Sequence, residues 1–281
     1  MQSHLISTTY LNERQHQKET NLVIIDVRFS LAEPEKGYES YLFSHIPGAH
    51  YLDLNKHLSG TKSEHGGRHP LPDKQAFMES LQGLGIEKQS LVVVYDEEGM
   101  TAPRLWWLLQ MVGVVNVKIL DGGWTKWVKE GRDVESEIPE LSETNFQVKT
   151  NSAFHVLHYE DVVDSIKKQD TVIMDSREPG RYQGLHEPID AKAGHIPSAR
   201  NYFWKDVFNS DSTLKSKQEL AEHFKDIEQE QEIIVYCGSG VSACPNIFAL
   251  KELGYQNVSL YAGSWSDWIS YENSPIAVIK S

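Results

Sequence analysis

At 281 residues, with 40% hydrophobic side chains and a formal net charge of −13, the chain is long enough for about two globular domains and too acidic for a nucleic-acid surface, which needs a basic patch. The same charge repels small anions in bulk, so an anionic substrate has to be drawn in by local dipoles and a few arginines. Its two cysteines, Cys237 and Cys244, form neither a disulfide framework nor a C-x-x-C pair, which points to a reducing, cytoplasmic setting and to no metal or cofactor. Met1 to Gln17 has no apolar core of signal-peptide type. The most apolar longer stretch, Leu105 to Val117, is interrupted by Gln110, Gly113 and Asn116 and is too short to span a membrane.

Along the chain, the first strand signal is Ile24-Ile25-Asp26-Val27-Arg28, followed by His45-Ile46-Pro47-Gly48-Ala49. A glycine-bearing stretch comes next, Glu64-His65-Gly66-Gly67-Arg68-His69-Pro70-Leu71-Pro72, and then a helical pattern over Gln75–Leu84. Val92-Val93-Val94-Tyr95-Asp96 reads as a buried strand, Arg104–Val112 as a helix, and Gly122-Gly123-Trp124 with Trp127 closes the series. Ser136 to Thr150 is polar, carries Pro139 and reads as a connection. The series then recurs in the same order. A helical pattern over Tyr159–Lys168 precedes Ile173-Met174-Asp175-Ser176-Arg177 and His195-Ile196-Pro197-Ser198-Ala199. A second helical pattern, Gln218–Phe224, precedes Ile233-Ile234-Val235-Tyr236-Cys237 and Gly263-Ser264-Trp265 with Trp268. Short β-branched runs alternating with helices predict an α/β fold with a mostly parallel sheet in each half, with domains at 1–140 and 151–281. The repeated Asp-x-Arg and His-Ile-Pro elements read as loop and turn anchors. His65 and His69 do not read as a zinc pair, because Gly66 and Gly67 spoil a helix that would align them.

The halves differ where chemistry is concentrated. Cys237 stands between a strand end and a helix start, in a loop with Gly238 and Gly240, where backbone N–H groups and a helix N-terminus favour a thiolate. The alternative for such a residue is an inert buried thiol before an ordinary βα turn. In the first half Asp96, Glu97 and Glu98 occupy the corresponding positions. A loop with three carboxylates is expected not to cradle an anion, so the first domain reads as catalytically inactive. The interval from His45 to Asp96 is longer than that from His195 to Cys237, and the excess falls in the stretch around His69. Long loops often carry function; the alternative is an exposed connector.

Cys237-Gly238-Ser239-Gly240-Val241-Ser242-Ala243 closely resembles the active-site loop of the rhodanese superfamily, in particular its mercaptopyruvate sulfurtransferase branch. The Asp-x-Arg and His-Ile-Pro elements resemble hallmarks of the same domain, so the resemblance covers nearly the whole chain and implies two tandem rhodanese-like domains. It implies that Cys237 carries sulfur as a persulfide and that Gly238, Gly240, Val241 and Ser242 surround the transferred sulfur. It also implies that Arg181 holds the acidic group of a small-molecule sulfur donor, that Ser239 relays a proton, and that His69 reaches the site from the other half. The acceptor class it implies is a thiol, thioredoxin or cyanide. Thiosulfate-preferring members carry cations just after the cysteine, where this chain has Gly238 and Ser239, so 3-mercaptopyruvate is the expected donor and thiosulfate the alternative. Two positions depart from the branch. Asp190 stands where a second arginine is expected, and Asp53 or Asn55 where the relay's aspartate would align. A phosphatase of related fold would need an arginine at position 243, which is Ala243. A non-catalytic interaction module would lack the intact cysteine loop.

Overall fold

The computed structural model describes residues 3–17, 20–87, 89–142, 144, 153–168 and 170–279. They form two compact units that are not consecutive halves. Unit 1 takes Met1–Gly60, Pro72–Ser152 and Phe208–Leu214; unit 2 takes Thr61–Leu71, Ala153–Val207 and Lys215–Ser281. The glycine-bearing stretch around His69 therefore groups with unit 2. Much of the connection expected at 136–150, namely 143 and 145–150, lies outside the described residues.

Unit 1 contains β1 (Leu5–Ile6), α1 (Thr8–His16), β2 (Leu22–Asp26), α2 (Lys36–Phe43), β3 (Ala49–Tyr51), α3 (Lys74–Gln82), β4 (Leu91–Tyr95), α4 (Thr101–Met111), β5 (Val117–Leu120) and α5 (Gly123–Lys129). Its sheet has the order β1-β5-β4-β2-β3, all parallel, with Leu22 to Asp26 in register with Leu91 to Tyr95. Unit 2 repeats the plan with β6 (His155–Leu157), α6 (Tyr159–Ser165), β7 (Thr171–Asp175), α7 (Pro179–Gln183), β8 (Arg200–Asn201), a 3₁₀ turn (Trp204–Val207), α8 (Lys217–His223), β9 (Glu232–Tyr236), α9 (Cys244–Leu253), β10 (Val258–Tyr261) and α10 (Ser264–Trp268). Its order is β6-β10-β9-β7-β8, again parallel, with Thr171 to Asp175 against Glu232 to Tyr236. Parallel sheets covered on both faces require apolar runs rather than alternation, and β4 and β9 are such runs. Among the described residues no helix is long and apolar enough to cross a membrane.

The repeated motifs hold the strand ends. Arg177 pairs with Asp175 at 2.6 Å, bonds the Gly194 carbonyl at 2.6 Å and lies 4.5 Å over the Trp265 ring. Arg28 does the same with Asp26, the Ser44 carbonyl and Trp124. Each buried guanidinium is matched by a buried carboxylate and a backbone carbonyl, so no partner is left unpaired. His195 donates from Nδ1 to the Tyr182 carbonyl at 2.7 Å and stacks on the Tyr182 ring; burial holds its pKa below the usual value, so it is a neutral turn anchor. His45 makes the equivalent bond to Tyr41.

Helix bounds shift by up to three residues from the sequence expectation; α6, for instance, stops at Ser165 rather than Lys168. α4 begins at Thr101, ahead of the expected Arg104, because the Asp96 carboxylate accepts from the N–H groups of Thr101 at 2.6 Å and Ala102 at 2.8 Å. A side chain that satisfies first-turn donors lengthens a helix toward its N-terminus. α9 extends to Leu253 and stops at Gly254, whose φ of 95° only glycine adopts freely.

Candidate active site

β9 delivers Cys237 to the carboxyl edge of the unit 2 sheet, where ligands of open parallel sheets bind. The loop that follows is held by α10. Cys237 donates its N–H to Ser264 Oγ at 3.1 Å, and the carbonyls of Cys237 and Gly238 accept from the N–H groups of Trp265 and Ser266. The Gly240 N–H donates to Cys237 Sγ at 3.1 Å. Gly240 has φ 78°, and a Cβ there would stand 2.3 Å from the Ala262 carbonyl oxygen, so the turn that aims this donor requires glycine. Val241 accepts the Cys244 N–H and starts α9; Ser242 follows it, half-buried. Cys237 itself is 1% exposed.

The segment Thr61–Leu71 docks on this loop. His65 stacks on Tyr271 with ring centroids 4.0 Å apart and meets Ser270 Oγ through Nδ1 at 2.8 Å. Gly66 donates its N–H to Asp267 Oδ1 at 2.7 Å, and Arg68 donates its own to Ser266 Oγ at 3.0 Å. His65 is thus an anchor. His69, carried by the same segment, places Nδ1 2.8 Å from Ser239 Oγ, and both side chains are buried. The structure therefore brings three expected residues together: Cys237, Ser239 and His69.

Arg181, on α7, also reaches the loop, with a partnership absent from the sequence expectation. Its Nε bonds Glu187 at 2.9 Å, and its Nη2 meets Glu187 at 2.8 Å and Asp190 at 2.9 Å. The sequence reading also missed Arg68, which pairs with Asp190 from the docked segment. A Cβ on Gly238 would lie 2.8 Å from Arg68 Nη2 and 3.4 Å from Arg181 Nη2. The expectation that no cation stands beside Gly238 and Ser239 is corrected accordingly: a residue remote in sequence supplies one. Burial pushes Arg68 below its ordinary pKa while attraction to Cys237 pulls it back up, and a guanidinium remains charged at neutral pH. The signal for Arg68 was its place beside His69 in a stretch already marked by its glycines.

In unit 1, Asp53 accepts the N–H groups of Asn55 at 2.8 Å and Lys56 at 2.9 Å, which makes it a turn-former. Asp96, at the position of Cys237, is buried and accepts from Gly99 N at 2.7 Å as well as from Thr101 and Ala102. The loop forms a cradle, and Asp96 itself fills it. Its N–H groups converge on its own carboxylate, while Glu97 and Glu98 point to solvent. Burial raises the Asp96 pKa and these hydrogen bonds oppose the rise.

Comparison with known proteins agrees with this geometry. The Rhodanese-like domain family matches residues 7–130 and 158–271. A Pseudomonas aeruginosa protein named "Probable 3-mercaptopyruvate sulfurtransferase" is 36% identical over 265 residues, covering 92% of this chain and 93% of the relative. The thiosulfate sulfurtransferase of Mus musculus is 31% identical over 274 residues, covering 94% and 91%. The crystal structure of the Escherichia coli 3-mercaptopyruvate sulfotransferase SseA superposes with a TM-score of 0.83 at 32% identity, covering 94% of this chain and 100% of that one. With the domain matched once in each half of its length, this chain belongs to the rhodanese-like family.

Proposed function

We propose that the protein is a sulfurtransferase that moves sulfane sulfur from 3-mercaptopyruvate to a thiophilic acceptor through a persulfide on Cys237. The observation that carries this reading is the convergence on one loop of a thiol under a backbone N–H, two guanidinium groups and a Ser–His pair. The Cys237 thiolate attacks the donor's sulfur, the C–S bond breaks, and its electron pair leaves as the enolate of pyruvate. Ser239 passes a proton to that enolate, and His69, protonated at Nδ1, restores the hydroxyl. The donor's thiol proton balances the one taken up. An acceptor thiolate, thioredoxin or cyanide then takes the outer sulfur and returns the Cys237 thiolate. Relatives named for 3-mercaptopyruvate support this donor. Thiosulfate is the second reading, favoured by the second guanidinium beside Gly238 and by the name of the mouse relative. Both cysteines are free, which fits a cytoplasmic enzyme. Sulfide or thiocyanate release measured side by side with both donors tests the assignment. No transfer from either would refute it, and a higher kcat/KM with thiosulfate would reverse the donor order.

Arg181→Ala removes one charged hydrogen bond to the donor. It is expected to raise KM for 3-mercaptopyruvate by about ten- to a hundredfold, equivalent to about 1.5–3 kcal/mol, with a smaller change in kcat. An unchanged KM would exclude Arg181 from binding. For unit 1 we propose the catalytically inactive role. Asp96→Ala then leaves kcat within a few-fold while lowering the melting temperature. It strips a buried acceptor from three N–H groups, each worth about 1 kcal/mol. Loss of turnover in the folded variant would contradict that role.

A further inference from the structure

Two carboxylates line the arginines of the site, and they do different work. Glu187 builds its own loop: it accepts the N–H groups of Ile189 and Asp190 at 3.1 Å each and bonds both Arg177 and Arg181. Asp190 turns the other way. One of its oxygens goes to Arg68 and the other to Arg181 at 2.9 Å, and its side chain is 3% exposed. A Cβ on Gly238 would lie 3.7 Å from Asp190 Oδ2, close to the same guanidinium nitrogens. Asp190 thus occupies the place of an anion bridged by two arginines, one residue from the nucleophile.

We infer that Asp190 is a specificity-determining residue: an internal carboxylate that competes with the donor's anionic group for Arg68 and Arg181. The inference rests on the sulfurtransferase reading for its choice of donors. Three arginines, Arg68, Arg177 and Arg181, are matched here by three carboxylates, Asp175, Glu187 and Asp190. An incoming anion gains guanidinium donors only by displacing Asp190 or by sharing them, for instance through Arg68 Nε, which is buried without a hydrogen-bond partner. The repulsion it meets scales with its charge. At equal distance Asp190 opposes a dianion such as thiosulfate about twice as strongly as a monoanion such as 3-mercaptopyruvate. Asp190 therefore tilts a two-arginine site, which would otherwise suit a dianion, toward a singly charged carboxylate.

The test compares alkylation of Cys237 by iodoacetate and by iodoacetamide, which are similar in size and differ in charge. In Asp190→Asn the ratio of the two rate constants is expected to rise about tenfold or more over the unaltered protein. The exposed-site variant Glu160→Gln removes the same formal charge and leaves the ratio unchanged. With donors, Asp190→Asn is expected to raise kcat/KM for thiosulfate relative to 3-mercaptopyruvate by a similar factor. An unchanged or lower ratio, or an equal rise in Glu160→Gln, overturns the inference. So does a higher KM for both donors, which would make Asp190 a positioning group for the arginines. Asp190→Ser serves if Asp190→Asn does not fold, and failure of both to fold would make the carboxylate structural and equally overturn the inference. If the unaltered protein transfers sulfur from neither donor, the functional reading fails while the alkylation ratio still judges Asp190.

Discussion

Cys237→Ser is expected to reduce sulfur transfer by more than about a thousandfold, while Cys244→Ser stays within a few-fold of the unaltered protein. The two cysteines are both buried and lie close in sequence, yet their surroundings separate them. Cys237 Sγ receives the Gly240 N–H and has Arg68 and Arg181 beside the next residue, so negative charge on sulfur meets donors and cations. Cys244 opens α9 and points its Sγ at the Gly240 carbonyl at 3.5 Å, an acceptor that a serine hydroxyl can also satisfy. A serine at 237 keeps the shape of the side chain, but its hydroxyl is un-ionised at neutral pH and cannot store a sulfane sulfur. Fragmentation mass spectrometry of the donor-treated protein is expected to place one additional sulfur on Cys237 itself and to leave Cys244 unmodified. That sulfur on Cys244, or transfer retained in Cys237→Ser, would overturn the assignment.

Gly67→Ala is expected to lower kcat/KM by about a hundredfold, because it unseats the segment that carries Arg68 and His69. Gly67 has φ 80°, and a Cβ there would stand 2.3 Å from the Gly263 carbonyl oxygen and 2.9 Å from Ser266 Oγ. Neither neighbour can yield cheaply. Gly263 immediately precedes α10, whose Trp265 and Ser266 N–H groups hold the Cys237 loop. Gly48→Ala is the control. It shares a left-handed backbone at φ 75°, but its Cβ would meet nothing within 4 Å, so it carries the conformational strain without the clash. The core of unit 2, with Ile173, Ile234, Tyr236, Trp265 and Trp268, is built independently of Gly67, so the variant remains folded. Limited trypsin digestion provides a second readout, since release of the segment exposes the half-buried bond after Arg68. Kinetics within a few-fold of the unaltered protein would show that the docked segment does not matter to turnover.

What the sequence determined by itself was the repeated plan and the loop that carries Cys237. β-branched runs that are buried on both faces can only be central strands of a covered parallel sheet, and β2, β4, β7 and β9 lie where those runs are. The Cys237 loop was equally legible, because a strand end, two glycines and a helix start are local features whose backbone requirements are written in consecutive residues. Ser239 and His69 were reachable through resemblance. Tertiary structure decided the electrostatics. Arg68 is remote from Gly238 in sequence, and only the docking of Thr61–Leu71 through His65, Gly66 and Gly67 brings its guanidinium there. Asp190, a stray negative charge in the sequence, becomes a bridge between two arginines once α7 and the docked segment face it. Asp96 likewise becomes the occupant of its own cradle, which packing alone reveals. Periodicity and turn chemistry are properties of neighbouring residues, whereas the charge a side chain experiences depends on which remote groups the packing places within a few ångströms of it.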